Sequence, residues 1–174
     1  MKKAGVEPAF LLCSVRRMPS LPHFSVRRAT STDAAAVRVL TRAAYAKWVP
    51  LIGREPKPMV ADYERAVCEH IIVLYERDRE LLGLVEMIPH PDHLLIENIA
   101  VRPDQQGIGL GDMLLRHAEE HARSLGAAET RLYTNALFAA NLAFYTKRGY
   151  SEFCRETLAP GAIAVHLRKP MGRG

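Results

Sequence analysis

The sequence predicts an α/β (α+β) protein. It would have a mixed, mostly antiparallel sheet, a central parallel strand-helix-strand crossover and helices on both faces. Three observations predict it. The aliphatic, β-branched runs Ile71–Tyr75 and Leu81–Ile88 are joined across Asp78-Arg79, as in a hairpin. The run His93–Val101 reads as another strand and leads through a glycine-rich turn into Leu110–Leu125, an amphipathic helix. Arg131–Thr134 is a strand again, so the strands flanking that helix must run parallel.

The other elements follow in order. Phe24–Ala29 is the first strand. Thr30-Ser31-Thr32-Asp33 supplies N-cap residues, and Val37, Leu40, Ala44 and Trp48 recur at helical spacing until Pro50 forces a stop. Leu51–Met59 contains Gly53, Pro56 and Pro58 and reads as a loop, then Val60–His70 as a second helix. Pro89 and Pro91 close the hairpin. Gly126 suits the position after a helix C-terminus. Ala139–Arg148 is a helix ended by Gly149, and Tyr150–Thr157 and Ile163–Arg168 are the last pair of strands.

Of the 174 residues, 1–22 read as a disordered extension, with Met18 an alternative start, and 23–174 as a single domain. Lys2-Lys3 before Ala9-Phe10-Leu11-Leu12 hints at a signal peptide, but Glu7 and Pro8 interrupt it. No apolar run approaches the roughly 20 residues needed to cross a bilayer. Cys13, Cys68 and Cys154 form no C-x-x-C pair and suit free thiols in a reducing cytoplasm. The net charge is +5, but the basic residues are scattered, which suits an anionic ligand and argues against nucleic acid.

The spacing of the glycines decides which anion this turn serves. Gly107, Gly109 and Gly111 leave backbone N–H groups bare at a helix start, the place where anions bind. A dinucleotide fingerprint from Gly107 would need glycine where Asp112 stands, and that acid would repel a pyrophosphate. A P-loop needs a Gly-Lys pair, and the chain has none. What remains is Gln106-x-x-Gly109-x-Gly111, or else an ordinary glycine-rich turn.

This motif resembles the Q/R-x-x-G-x-G/A loop of the GNAT superfamily of acyl-CoA N-acyltransferases. The segment Asn141-Leu142-Ala143-Phe144-Tyr145-Thr146-Lys147-Arg148-Gly149-Tyr150 resembles the family's N-x-x-x-Y-x-x-x-G-[FY] helix. Element order from about Phe24 to Pro170 also resembles the family. Ile52-Gly53-Arg54-Glu55-Pro56-Lys57-Pro58-Met59 is similar to a segment of a subgroup of undefined substrate. The resemblance implies an enzyme of GNAT-type fold that uses acetyl-CoA to acetylate an amine. The coenzyme A pyrophosphate would lie on Gln106, Gly107, Ile108, Gly109, Leu110 and Gly111. Asn141 and Lys147 would help hold the cofactor, Asn141 at the pantetheine arm. Splayed parallel strands would let Ile99, Ala100 and Val101 pair with that arm, and the Val101 N–H could polarise the acyl carbonyl. Tyr145 would sit beside the thioester sulfur and protonate the leaving thiolate.

A lysine-like amine with pKa near 10.4 is scarcely neutral at pH 7, a penalty of roughly 4–5 kcal/mol, so a base is wanted. Glu97 is the candidate. Strand alternation puts it on one face with Leu95, Ile99 and Val101, apolar company that a charge does not join for packing. A glutamate solvated near a strand end is the alternative, with water or His93 as base. His90 and His93 flank prolines and would be solvated or line the cleft mouth. Tyr45, Trp48 and Met59 are candidates for the acceptor pocket, although Trp48 serves equally as core.

His117-Ala118-Glu119-Glu120-His121 matches H-x-x-E-H, a zinc-hydrolase pattern. That helix is the one needed under the pyrophosphate, and no metal is expected. A non-catalytic acyl-CoA-binding module stays open, as does an acetyltransferase acting on a protein or on aminoacyl-tRNA. A small-molecule acceptor is the leading expectation, with a homodimer an open arrangement.

Overall fold

The computed structural model describes residues 24–159 and 162–172, so the expected extension and Cys13 lie outside the described residues. A seven-stranded sheet runs β1-β2-β3-β4-β5-β7-β6. Its strands are β1 (Ser25–Arg28), β2 (Ile71–Arg77), β3 (Glu80–Pro89), β4 (His93–Val101), β5 (Glu129–Asn135), β6 (Ser151–Ala159) and β7 (Ala162–Pro170). Every neighbouring pair is antiparallel except β4 with β5. The helices are α1 (Ala34–Tyr45), α2 (Val49–Ile52), α3 (Tyr63–Glu69), α4 (Leu110–Ser124) and α5 (Ala139–Thr146). The fold class is therefore as the sequence predicts.

Apolar residues bury on both faces of the sheet. Val85, Met87, Leu94, Ile96 and Leu132 pack under Leu110, Leu114, Leu115 and Ala118 of α4. Leu74, Leu84 and Ala100 pack on the other face under Val37 and Leu40 of α1 and Tyr63 of α3. Each fully buried side chain of this size contributes about 1.5–3 kcal/mol. Asp78 and Arg79 take φ of 53° and 67°, the left-handed pair that a two-residue hairpin turn requires.

Three local expectations need correcting. First, α1 stops at Tyr45 rather than running on to Pro50. A 3-10 turn, Ala46–Trp48, follows, and then the single turn of α2, which carries Pro50 in its first positions. Proline is tolerated there because those N–H groups have no helical acceptor. The irregular segment therefore starts at Gly53. Second, α3 begins at Tyr63 instead of Val60, because the Asp62 side chain caps it by accepting from the Arg65 N–H at 3.1 Å.

Third, β4 does not alternate regularly. Ile96, Glu97 and Asn98 stand opposite only Met87 and Glu86 of β3, a bulge with Glu97 as the extra residue. Ile96, Ile99 and Val101 consequently face α4, whereas Asn98 and Ala100 face α1 and α3. The expected common face of Leu95, Glu97, Ile99 and Val101 is broken at Glu97.

Candidate active site

The parallel pair sets the site. β4 and β5 are paired only from His93 with Glu129 to Ile96 with Leu132. Beyond Ile96 the bulge turns β4 away, and the edge of Ile99–Val101 is left without a strand on that side. Two clefts open there. One, of 390 Å³, is bounded by Val101, Gln106, Gly107, Gly109, Gly111, Trp48 and Arg148. The other is bounded by Arg54, Lys57, Glu97, Tyr133 and Phe138. They share Tyr45, Ile99, Asn141 and Tyr145 as walls and so meet at those residues.

The first cleft is lined by backbone. The amides of residues 107–111 have no acceptor among the described residues. Gly107 and Gly109 hold φ of 82° and 93°, which turns the chain so that the amides precede and enter the first turn of α4. Gly111 differs: a Cβ there would meet Phe144 at an ordinary 3.7 Å, so its backbone does not demand glycine. The Ile108 side chain is exposed, and Leu110 is buried in the core under α4, so both would act through their amides.

Charge around these amides is favourable to an anion. Asp112, the acid that would repel one, is bound by Arg148 at 2.6 Å and Arg116 at 2.7 Å. The Arg148 hydrogen bond is the main reason its carboxyl is held below the usual range. Arg148 is itself fixed by the Phe144 carbonyl at 2.9 Å and by the Phe144 ring. Lys47 donates to Gln106 Oε1 at 2.8 Å, and Gln106 Nε2 donates to the Val101 carbonyl at 3.0 Å. Lys147 is exposed and lines neither cleft, and Arg148 next to it does.

The second cleft is lined by side chains. Glu97, 16% exposed, accepts from Tyr133 Oη at 2.6 Å and from Lys57 Nζ at 2.8 Å, both on Oε1. Lys57 also donates to Tyr133 Oη at 2.9 Å. Burial works against the Lys57 charge, but the bonds to Glu97 and Tyr133 outweigh it and raise its pKa. Behind Glu97, the buried Asn98 accepts from Tyr45 Oη at 2.9 Å and donates to Tyr63 Oη at 3.3 Å. Glu86, also buried, shares a 2.6 Å bond with His70 Nδ1, and its pKa is pushed up by burial.

Tyr145 stands at the junction of the two clefts, its ring edge-on to Phe144 and Tyr150. Burial pushes its hydroxyl up to about 12, so the proton stays in place across the physiological range. Among the described residues its hydroxyl has no hydrogen-bond partner. Asn141 lies beside it, with Nδ2 3.5 Å from Thr134 Oγ1.

The predicted acceptor residues divide. Tyr45 lines both clefts. Trp48 lines the first and stacks on Phe138 of the second, with ring centroids 4.2 Å apart. Met59 is buried and lines neither; its carbonyl accepts from Arg42 at 3.0 Å. His93 is bound to Asp92 at 2.7 Å and stacked on His90 at the β3–β4 turn, away from both clefts. His117 shares a 3.1 Å bond with Tyr75 Oη, and among the described residues no three ligand-type side chains come together as a metal site.

Sequence reasoning missed Lys57, Tyr133 and Arg54. Each looks like an ordinary surface residue until β5 and the loop after α2 are folded against β4. The nearest signal was the segment from Ile52 to Met59, noticed as a whole but not resolved into residues.

Comparison with known proteins identifies the family and the fold. A model of the acetyltransferase (GNAT) family matches residues 37–150. Streptothricin acetyltransferase of Streptomyces lavendulae is 32% identical over 84 residues, 44% of this chain and 44% of that protein. The match thus spans less than half of the relative's length. A GNAT-family structure from Desulfovibrio desulfuricans superposes with a TM-score of 0.72 at 22% identity, over 86% of this chain and 100% of that one. The PaiA N-acetyltransferase of Thermoplasma acidophilum, solved with coenzyme A, gives a TM-score of 0.69 at 16% identity, over 85% and 99% of the two chains.

Proposed function

This chain belongs to the GNAT acetyltransferase family, and from that premise we propose that it moves an acetyl group from acetyl-CoA to the primary amine of a small molecule by direct attack on the thioester. The observation that carries the reading is the meeting of the two clefts. Unpaired amides lie at one end, Glu97 lies at the other, and Tyr145 lies where the clefts join.

The residues present fit the donor. Residues 107–111 offer the pyrophosphate a row of amides and, at Gly107 and Gly109, no side chain in the way. Lys47 and Arg148 add positive charge. Each charge-assisted hydrogen bond of this kind is worth roughly 1.5–3 kcal/mol. Ile99, Ala100 and Val101 present a strand edge to the pantetheine arm, with Asn141 across from it. When bound, acetyl-CoA supplies an activated acyl group and a thiolate leaving group.

The chain's own groups handle the protons. Glu97 takes a proton from the acceptor nitrogen, directly or through water, and so recovers part of the roughly 4–5 kcal/mol needed to neutralise an amine. The Val101 N–H is the candidate to polarise the acyl carbonyl. Tyr145, protonated and unpartnered, gives its proton to the departing sulfur. A thiol leaves readily, so this step contributes modestly. A relative whose name gives streptothricin as its acceptor supports a small-molecule amine. We place the reaction in the cytoplasm, where the exposed thiols Cys68 and Cys154 stay reduced.

One observation favours the rival reading of a non-catalytic acyl-CoA-binding module: Lys57 already occupies Glu97. Incubation with acetyl-CoA and a panel of amines, with thiol release as readout, separates the two. Acetyl-CoA binding without any amine-dependent thiol release would retire the enzyme reading.

A further inference from the structure

The Lys57–Glu97 pair stands where an acceptor amine has to go. An amine that takes the place of Lys57 Nζ on Glu97 Oε1, rather than binding Oε2, which has no partner among the described residues, releases that lysine, now 2.8 Å away. Release leaves a solvated lysine cation beside the newcomer, free to bind an anion. A simple monoamine leaves that cation unanswered. A zwitterion answers both charges, since its nitrogen replaces Nζ on Glu97 while its carboxylate takes up the released Lys57. Lys57 is free to make the exchange: its side chain is 68% exposed, on a flexible four-carbon stem.

Arg54 points the same way independently. It lines the recess with Lys57 and Glu97. The other charged side chains around Glu97 have partners: Asp62 caps α3, Arg65 pairs with Glu69, and His70 with Glu86. Arg54 has none among the described residues. The loop that carries it is tied down. Gly53 turns it at φ 68°, Arg42 binds both Glu55 and the Met59 carbonyl, and Tyr63 Oη donates to the Pro58 carbonyl at 2.8 Å. A planar guanidinium on a fixed loop matches a carboxylate with two parallel bonds. The recess also has apolar walls, among them Ile52, Leu132, Phe138 and Ile163.

We propose that the acceptor is an amine carrying a carboxylate, of the apolar α-amino-acid type, which inserts into the Lys57–Glu97 pair with its carboxylate on Lys57 and Arg54. The proposal rests on acetyl transfer at Glu97 as read above and names the acceptor of that site. The bound ammonium first gives one proton to Glu97, which passes it to solvent. The freed nitrogen lone pair then forms the new C–N bond as the C–S bond breaks; the nitrogen's second proton passes to Glu97, the sulfur takes the proton of Tyr145, and solvent restores both residues.

The test compares leucine, leucinamide and 3-methylbutylamine as acceptors, with rates referred to the neutral amine. Leucine should exceed both analogues in kcat/KM by about tenfold, the effect of one charge-assisted contact in a partly exposed site. Arg54→Ala and Lys57→Met should each narrow that ratio, chiefly through the KM of leucine, while calorimetry shows acetyl-CoA affinity unchanged. Equal use of the three acceptors, or a ratio indifferent to both substitutions, overturns the proposal and leaves acetyl transfer standing. Failure of leucine, valine and phenylalanine both to react and to bind the CoA-loaded protein overturns it as well. Absence of acetyl-CoA binding would overturn the underlying reading with it.

Discussion

At the α4 end of the cleft the groups that face a ligand are the amides of residues 107–111. At the Glu97 end they are the side chains of Lys57, Glu97, Tyr133 and Tyr145, drawn from the loop after α2, from β4, β5 and α5. The two ends differ in what they can tolerate. A backbone site survives most side-chain changes and fails only where conformation or charge is altered. A side-chain site depends on contacts made across the fold, and its parts can be exchanged one at a time. That contrast suits a donor end presented by one continuous loop and an acceptor end open to retuning.

The largest effect should come from breaking the backbone end. Gly109→Asp puts a strained residue and a negative charge at φ 93°, where the amides converge. Calorimetry on the folded variant should show acetyl-CoA affinity reduced at least about a hundredfold, from lost charge-assisted bonds and added repulsion. Gly109→Asn, which tolerates a left-handed backbone, should retain affinity to within about tenfold. If aspartate binds as well as asparagine, the amides of this loop do not hold the pyrophosphate.

Next comes the side-chain end. Glu97→Gln should lower kcat/KM at pH 7 by about a hundredfold, the lower range for loss of a general base. The sign with pH discriminates. Wild-type kcat/KM should rise with pH as the base or the amine loses its proton, and the variant should recover at about pH 10, where the amine is neutral without help. A loss uniform in pH would mean that Glu97 only positions the acceptor.

Tyr145→Phe should be milder, about tenfold in kcat with little change in acetyl-CoA affinity, because the hydroxyl matters only as the thiolate forms. Burial holds that hydroxyl at about 12, so it stays protonated and gives the wild-type profile no downturn below that region. An alkaline limb that disappears in Tyr145→Phe would contradict this.

The smallest effect sharpens the comparison from within the loop. Gly111→Ala places a methyl at ordinary contact distance from Phe144, in a normal helical position. Acetyl-CoA affinity should stay within about threefold of wild type, against the losses at Gly109, because no strain or charge is introduced. A loss as large as that of Gly109→Asp would show that the ligand itself comes against the Gly111 Cα.

The sequence by itself determined the order of strands and helices, the parallel crossover, the glycine loop and the Asn141/Tyr145 helix. These features are local. Hydrophobic period, turn residues and backbone conformation are written within a dozen neighbouring residues, and the parallel pairing then follows from chain geometry. Only the tertiary structure decided what Glu97 touches. The bulge at Glu97 arises from the pairing of β4 with β3 and inverts the faces assigned by simple alternation. Lys57 meets Glu97 because the loop after α2 folds over the opening between β4 and β5, and Tyr133 meets it because β5 runs beside β4 up to Ile96. The pairing of Asp112 with Arg148, which removes an obstacle to anion binding, joins α4 to the turn after α5. Such contacts couple positions tens of residues apart, where charge and geometry compensate only after the chain has closed.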